Sequence, residues 1–252
     1  MAEFDDLMRT VSKFYDKNIF ILAFNPKLLD NSIRAGDENY FSNFIKEEIK
    51  RTDLSSAIFI IDGLGGSLNA AVACSKLIRD SLNYYACIVP FVSASAMNYF
   101  MILSNKLYLG QKSVITQIDP MFKGYRAIKE WSNTNKEVRE DAHKFTGHTI
   151  ELLKKILRPK ECIFHKGCFQ KNGVIKERDL AAIVKKFMVK PEHSSKVRVT
   201  EIEKLPINVD YLHDTINGHS KKLIRHTQAE FFNGDSKIRG VIRTFNKDYL
   251  II

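Results

Sequence analysis

The sequence has no long apolar run. No stretch reaches the ~18 to 20 consecutive apolar residues that a membrane-spanning helix needs. The N-terminal residues 1–7 are acidic and have no apolar core ahead of a small-residue cleavage site, which argues against a secretory signal. We therefore expect a cytoplasmic protein without a transmembrane segment.

Cysteine is scarce, with four in 252 residues. This number makes no disulfide framework in a chain of this size, and Cys74 and Cys87 occupy a predicted helix and strand where a small apolar residue would serve. The group Cys162, His165 and Cys168 offers soft metal ligands, but the later histidines do not supply the second pair that zinc sites usually show. We expect free thiols and no bound metal.

The charge is unbalanced toward the basic side, with a formal net charge of +10. Clustered lysines can mark a nucleic-acid partner. The clusters at 185–190 and 221–225 are modest, and they come without an aromatic-basic RNA motif or a recognition helix. A solvated basic face explains them, and we expect no nucleic-acid partner.

Strand and helix patterns alternate through the first half of the chain. Apolar, β-branched runs predict buried strands, and apolar residues at three- and four-residue spacing predict helices between them. Such strand-helix-strand units form parallel sheets with right-handed crossovers, so the pattern predicts an α/β fold. The predicted strands are 19–24, 57–61, 84–89, 107–110 and 113–115, and the predicted helices are 4–16, 38–51 with Asp37 as N-cap, 67–80 and 93–103.

The second half of the chain lacks this regular alternation of strand and helix patterns. A long charged helix is predicted from 129 to 157, ended by Pro159. We predict a core over residues 1–158 and a C-terminal α+β region over 159–252. Because no linker separates the two, we interpret the second region as an extension of the core and not as an independent domain. The extension is predicted to hold a helix at 180–187, a strand at 196–202, a helix at 209–216 and strand-like pieces between 238 and 250.

Two features follow the strands at 57–61 and 84–89, where ligands of parallel sheets bind. The first strand ends in the glycine-rich turn Asp62 to Gly66, which can approach a ligand closely. Five residues after Pro90, Ser95 lies at the start of a predicted helix. A serine there often only caps the helix, but a hydroxyl beside free backbone amides is also suited to nucleophilic attack.

The order and spacing of these segments, followed by Gln117 to Pro120, resemble the Clp protease/crotonase superfamily. Within it they resemble serine peptidases related to signal peptide peptidase A, most closely the serine dehydrogenase proteinase-like family, over about residues 15–155. The resemblance implies a mostly parallel sheet flanked by helices, a peptide or protein substrate, no cofactor and a homo-oligomer. The chain departs from the family pattern at Leu64, where the family has proline, and at Met97, where a small residue is usual and a large one would crowd the site.

The resemblance also implies roles for single residues. Ser95 matches the nucleophile, the amides of Gly65 and Gly66 match the oxyanion hole, and Asp119 matches a segment that lines the substrate groove. These roles imply a serine peptidase that acts through an acyl-enzyme.

The base is harder to assign, because no histidine stands about 25 residues after the serine, as in the Clp branch. The branch related to signal peptide peptidase A places a lysine about 40 to 60 residues after the serine, a window that contains Lys136 and Lys144. We favour Lys144, because 140–145 resembles an acidic-Ala-x-x-Lys stretch of the family helix. Its ammonium would have to be buried to lose a proton near neutral pH. His143 and His148 follow as further candidates.

Two other functions belong to the same fold. A catalytically inactive binding or scaffold subunit is the alternative, given Leu64, Met97 and the unassigned base. Acyl-CoA chemistry of the crotonase type is disfavoured, because it uses glutamates near the oxyanion hole and none lies between Asp62 and Asn98.

Overall fold

The computed structural model describes residues 2–27, 33–118, 121–122, 125–127, 129–157, 177–188, 196–205, 207–232 and 237–252. Within them the strands are β1 (Asn18–Phe24), β2 (Ser56–Asp62), β3 (Tyr84–Val89), β4 (Val92–Ser93), β5 (Lys106–Leu109), β6 (Val114–Ile115), β7 (Met121–Phe122), β8 (Tyr125–Arg126), β9 (Val209–Tyr211), β10 (Gly240–Arg243) and β11 (Asp248–Ile251). The helices are α1 (Ala2–Tyr15), α2 (Glu38–Phe44), α3 (Leu68–Ser81), α4 (Asn98–Ile102), α5 (Lys136–Leu157), α6 (Glu177–Met188), α7 (Val199–Ile202) and α8 (Asp214–Phe231). Short 3-10 turns at Ser95–Met97 and Lys129–Ser132 and a π-helical segment at Ile45–Lys50 complete the set.

A seven-stranded sheet organises the molecule, in the order β11-β10-β1-β2-β3-β5-β9. The five strands from β1 to β9 in this order run parallel, and β10 and β11 add an antiparallel edge beside β1. Helices cover both faces. The predicted α/β class, a mostly parallel sheet flanked by helices, is confirmed.

Side-chain alternation along the strands divides the interior into two cores. In β2, Ile58 and Ile60 face a core formed with α1 and α8. Ala57, Phe59 and Ile61 face the opposite core, which contains residues of α2, α3 and α4. Because both faces are covered, these strands carry apolar residues at every position rather than at alternate ones.

Helix α1 packs on this chain's own sheet. Its apolar stripe of Phe4, Leu7, Met8 and Val11 is buried in the core that α8 shares. The stripe is therefore used within one chain, and the predicted oligomer stays a prediction.

The structure corrects three details of the predicted elements. Residues 196–202 form a single bridge at Val197 followed by the helix α7, and residues 209–216 begin with strand β9 before α8 starts. Asp37 has helical backbone angles and no side-chain cap bond. Its carboxylate instead accepts the N–H of Arg34 and forms a buried ion pair with Arg239.

Elements after residue 158 complete the main sheet, with β9 at one edge and β10 and β11 at the other. The boundary at 158 between core and extension stays a prediction. Cys74 and Cys87 are buried free thiols, whereas Cys162, His165 and Cys168 lie outside the described residues. No helix in the described part of the chain combines the length and apolar character needed to span a membrane.

Candidate active site

The glycine turn after β2 is fixed by its neighbours. Gly65 and Gly66 both have positive φ, +101° and +142°, which L-residues rarely adopt. The carbonyl of Gly65 accepts the N–H of Ile33 at 2.9 Å, and the N–H of Ser67 is bonded to the carbonyl of Ile33 at 2.7 Å. Ser67 then caps α3 by accepting the Ala70 N–H. The two glycines are thus held in one conformation between β2 and α3.

Ser95 occupies a tight turn at the end of a second, small sheet. Strand β4 pairs in parallel with β6, and the end of β2 joins β4 through hydrogen bonds from Gly63 N–H to Val92 O and from Ala94 N–H to Gly63 O. Ser95 has φ +50°, between an extended Ala94 and the 3-10 turn that leads into α4. Non-glycine residues in this region are uncommon and cluster at functional sites.

The two turns touch each other. A Cβ atom placed on Gly65 would lie 2.7 Å from Ala94 O, 2.8 Å from Ala96 N and 2.9 Å from Ser95 Cβ. These distances leave room only for glycine. The structure therefore brings together Gly65 and Ser95, which stand thirty residues apart in the sequence.

Free amide groups surround the contact. In the described part of the chain, no group accepts a hydrogen bond from the N–H of Gly65, Gly66 or Ala96. Ala96 directly follows the serine in the first turn ahead of α4, where backbone N–H groups have no intrahelical acceptor. Unbonded backbone N–H groups beside a serine hydroxyl can act as the hydrogen-bond donors of an oxyanion hole.

A buried network of hydrogen bonds holds the serine turn in place, and the sequence did not predict it. Asn98, which is 0% exposed, accepts the Ser93 hydroxyl at 2.7 Å and donates to Thr116 O at 2.6 Å. The Thr116 hydroxyl accepts the backbone N–H of Ser95 at 3.1 Å. The available signal was Asn98 itself, a polar residue inside the apolar run 96–103.

The two departures from the family pattern have different surroundings. Met97 is 0% exposed, and its sulfur packs beside Gly63 and Phe24 in the core. Its side chain is therefore part of the core packing, which does not support the expectation that it crowds the serine. Leu64 is 47% exposed in the glycine turn.

Asp62 lies just before the glycine turn and on the α8 side of the sheet. It is 5% exposed and accepts the Val92 N–H at 3.2 Å and the Gln228 side-chain amide at 2.9 Å. Burial outweighs these two bonds and raises the pKa of Asp62 from 3.8 to about 6.

We expect Asp62→Asn to stabilise the protein at pH 7.5 and to have little effect near pH 4. The folded state holds the Asp62 proton more tightly than the unfolded state, so stability is lost as the pH rises from 3.8 through about 6. Two pKa units correspond to about 2 to 3 kcal/mol, an upper estimate. Urea unfolding at both pH values measures the effect. Asp141→Asn, on the exposed face of α5, controls for the lost charge. Equal stability of Asp62→Asn and the wild type at pH 7.5 would contradict the expected stabilisation.

The candidate bases lie on the surface of α5. Lys136 is the first residue of α5, and its side chain is 77% exposed and 3.8 Å from Glu140 Oε1. Lys144 and His148 are also exposed, and His143, exposed as well, stacks on Trp131 with ring centroids 4.6 Å apart. The burial that a lysine base requires is not provided within the described residues. Asp119 lies outside them.

Comparisons with known proteins give matches in structure and none in sequence. No protein-family model and no curated protein matches this chain. The chain is similar to a serine-to-alanine mutant of the 1510-N membrane-bound stomatin-specific protease, with a TM-score of 0.49, 16% identity, and 73% of this chain and 76% of that chain covered. A lysine-to-alanine mutant of that protease in complex with a substrate peptide matches with a TM-score of 0.38, 13% identity, and 84% and 98% covered.

Proposed function

We propose that this chain is a serine peptidase of the Clp protease/crotonase superfamily, with Ser95 as nucleophile. The observation that carries the proposal is the contact between Gly65 and the Ser95 turn, with Ser95 at φ +50°. A structural serine at a helix start needs neither a positive φ nor a glycine packed against it. The cytoplasmic location and the closer relation to serine dehydrogenase proteinases stay predictions from the sequence.

In the proposed reaction the Ser95 hydroxyl oxygen attacks the carbonyl carbon of a peptide bond. A lysine amine takes the hydroxyl proton and later gives it to the leaving amine. The negative charge on the tetrahedral intermediate is held by the amides of Gly65 or Gly66 and of Ala96. Loss of the amine leaves an ester on Ser95, which water hydrolyses.

The lysine is proposed as Lys144, with Lys136 as the second candidate. Both are exposed in the isolated chain, whereas a lysine that acts as a base has to be desolvated. The reaction therefore requires α5 to become buried, by the substrate or by a second copy of the chain. Without that burial the chain is the alternative, an inactive binding or scaffold subunit.

A fluorophosphonate probe tests the proposal, because it reacts only with activated serines. We expect the wild type to be labelled and Ser95→Ala to lose labelling completely. Ser42→Ala, a change at an exposed serine of α2, is the matched control and should keep full labelling. An unlabelled wild type in every assembly state would support the scaffold function instead.

The same probe separates the candidate bases. Residues that act as one catalytic unit lose nearly all activity when either is removed, so Lys144→Ala should resemble Ser95→Ala while Lys129→Ala stays close to wild type. If Lys136→Ala abolishes labelling instead, the two lysines exchange roles. Full labelling of the double Lys136→Ala, Lys144→Ala variant would contradict a serine-lysine pair and leave His143 or His148 to be tested.

A further inference from the structure

A basic cavity lies beside the small sheet that carries the serine turn. Its volume is about 630 Å³, and it is lined by the segment at the start of β6, by residues 196–200 and by Tyr211. Three cations, Lys112, Lys196 and Arg198, line it, and the lining contains no acid among the described residues.

The backbone register relates this cavity to the serine. Ile115 and Val197 form an antiparallel bridge, with Val197 N–H bonded to Ile115 O at 2.7 Å. This register sets Thr116 opposite Lys196, and directly opposed residues have Cβ atoms about 4.5 to 5.5 Å apart. The Thr116 hydroxyl accepts the Ser95 N–H. Lys196 therefore stands across from Thr116, the residue whose hydroxyl holds the Ser95 N–H.

Side-chain alternation puts the cations on the same face. Ile115 and Val197 point into the core, at 0% and 2% exposure. Their neighbours point the other way, and Lys196 and Arg198 are exposed there. Since the two residues are two positions apart on an extended segment, their Cα atoms are about 6.4 to 6.8 Å apart, the spacing of alternate residues in an extended peptide.

Two acids of the described residues near the cavity, Glu201 and Glu203, have partners of their own. Glu201 forms an ion pair with Lys186 at 2.5 Å and accepts the Arg198 N–H at 3.0 Å. Glu203 accepts the hydroxyl of Tyr211. In the described part of the chain, Lys112, Lys196 and the Arg198 guanidinium form no ion pair. Three cations and no acid in the described lining give the cavity a positive charge that suits an anionic ligand.

We propose that this cavity binds an extended acidic segment of the peptide substrate, with carboxylates at alternate positions facing Lys196 and Arg198. The proposal rests on the proposed peptidase function for its link to Ser95. Val114, which is half-buried and also lines the cavity, supplies an aliphatic contact beside the cations. A single-stranded nucleic acid is a poorer fit, because it needs aromatic stacking surfaces and, among the described lining residues, Tyr211 alone offers one.

Fluorescence anisotropy with labelled peptides tests the proposal in the full chain carrying Ser95→Ala, which prevents turnover. The probes are a peptide alternating glutamate and valine, its glutamine counterpart and its lysine counterpart. We expect the glutamate peptide to bind about tenfold more tightly than the glutamine peptide, and to weaken as salt rises. Equal affinities for the two, or tighter binding of an oligothymidine of similar length, would overturn the proposal.

Charge reversal supplies the second test. The double variant Lys196→Glu, Arg198→Glu should lose binding of the glutamate peptide and gain binding of the lysine peptide. The control variant Lys46→Glu, Lys50→Glu makes the same charge change ahead of β2, at the other end of the sheet, and should keep the wild-type preference. Lys196→Gln with Arg198→Gln should show the same loss if the reversed variant folds poorly. Unchanged preference in both variants would overturn the proposal.

The uncharged fluorophosphonate separates recognition from chemistry. Lys196→Arg should keep both the acidic-peptide preference and Ser95 labelling, since recognition needs only a cation. Loss of labelling in Lys196→Arg would make Lys196 part of the catalytic machinery and overturn the recognition role. If the wild type binds the glutamate peptide without being labelled, the proposed peptidase function fails while the binding site stands.

Discussion

Gly65→Ala is expected to reduce the rate of fluorophosphonate labelling at Ser95 by about 100-fold or more. The new methyl group would stand 2.7 Å from Ala94 O and 2.9 Å from Ser95 Cβ, so the serine turn must move. A displacement of about 1 Å at a reacting group can cost about 100-fold in rate, and the same shift would also misplace the residue-65 N–H as an oxyanion donor. The measurement is the second-order labelling rate of the purified variant.

Gly36→Ala is the matched control for this change. Gly36 has φ +97°, close to the +101° of Gly65, but a Cβ atom there meets nothing within 4 Å. Both variants therefore carry the same backbone strain, of order 1 kcal/mol, and only one disturbs the serine. Labelling of Gly65→Ala at the rate of Gly36→Ala would show that the glycine turn plays no part in the reaction.

Asp37→Ala is expected to lower the free energy of unfolding by about 3 to 5 kcal/mol. Asp37 and Arg239 have side chains only 1% and 8% exposed, with their closest atoms 2.5 Å apart. Asp37 also accepts the Arg34 N–H at 2.8 Å, so it ties the segment before α2 to the strand pair at the sheet edge. Its removal leaves a buried guanidinium without its counter-charge. Urea unfolding at neutral pH measures the loss.

The control breaks an exposed ion pair in the same way. Asp80 and Lys76 on α3 have side chains 61% and 56% exposed, 3.4 Å apart. Asp80→Ala should cost about 0.5 kcal/mol or less, because water screens the pair. A cost below about 1 kcal/mol for Asp37→Ala would mean that the buried pair does not hold the edge strands, contrary to the expectation above.

The sheet was predictable because its strands are buried on both faces. Continuous apolar runs such as 57–61 have no other stable environment in a chain of this size, and the helices between them carry a regular apolar stripe. The glycine turn and Ser95 were found for a related reason. Ligand sites of parallel sheets lie at the strand ends, so only a few loops needed to be considered.

Short and partly exposed elements were not predictable. The segment 196–202 alternates like a strand, yet Val199 begins a helix, because Glu201 accepts the Arg198 N–H and only Val197 finds a strand partner. Residues 209–211 resemble a helix start, but the free edge of β5 pairs with them. A local capping bond decided the first segment and a tertiary strand pairing decided the second, each against a weak preference of the sequence.

The sequence by itself determined the alternation of strands and helices, the parallel sheet, and the two turns that hold Gly65 and Ser95, since apolar periodicity and glycine positions are local properties. Only the tertiary structure decided that these turns touch, that Asn98 and Thr116 hold the serine turn, and that Val197 pairs with Ile115 beside it. It also placed Lys136 and Lys144 on an exposed face. Contacts between distant segments depend on strand order, register and burial, which no single segment encodes.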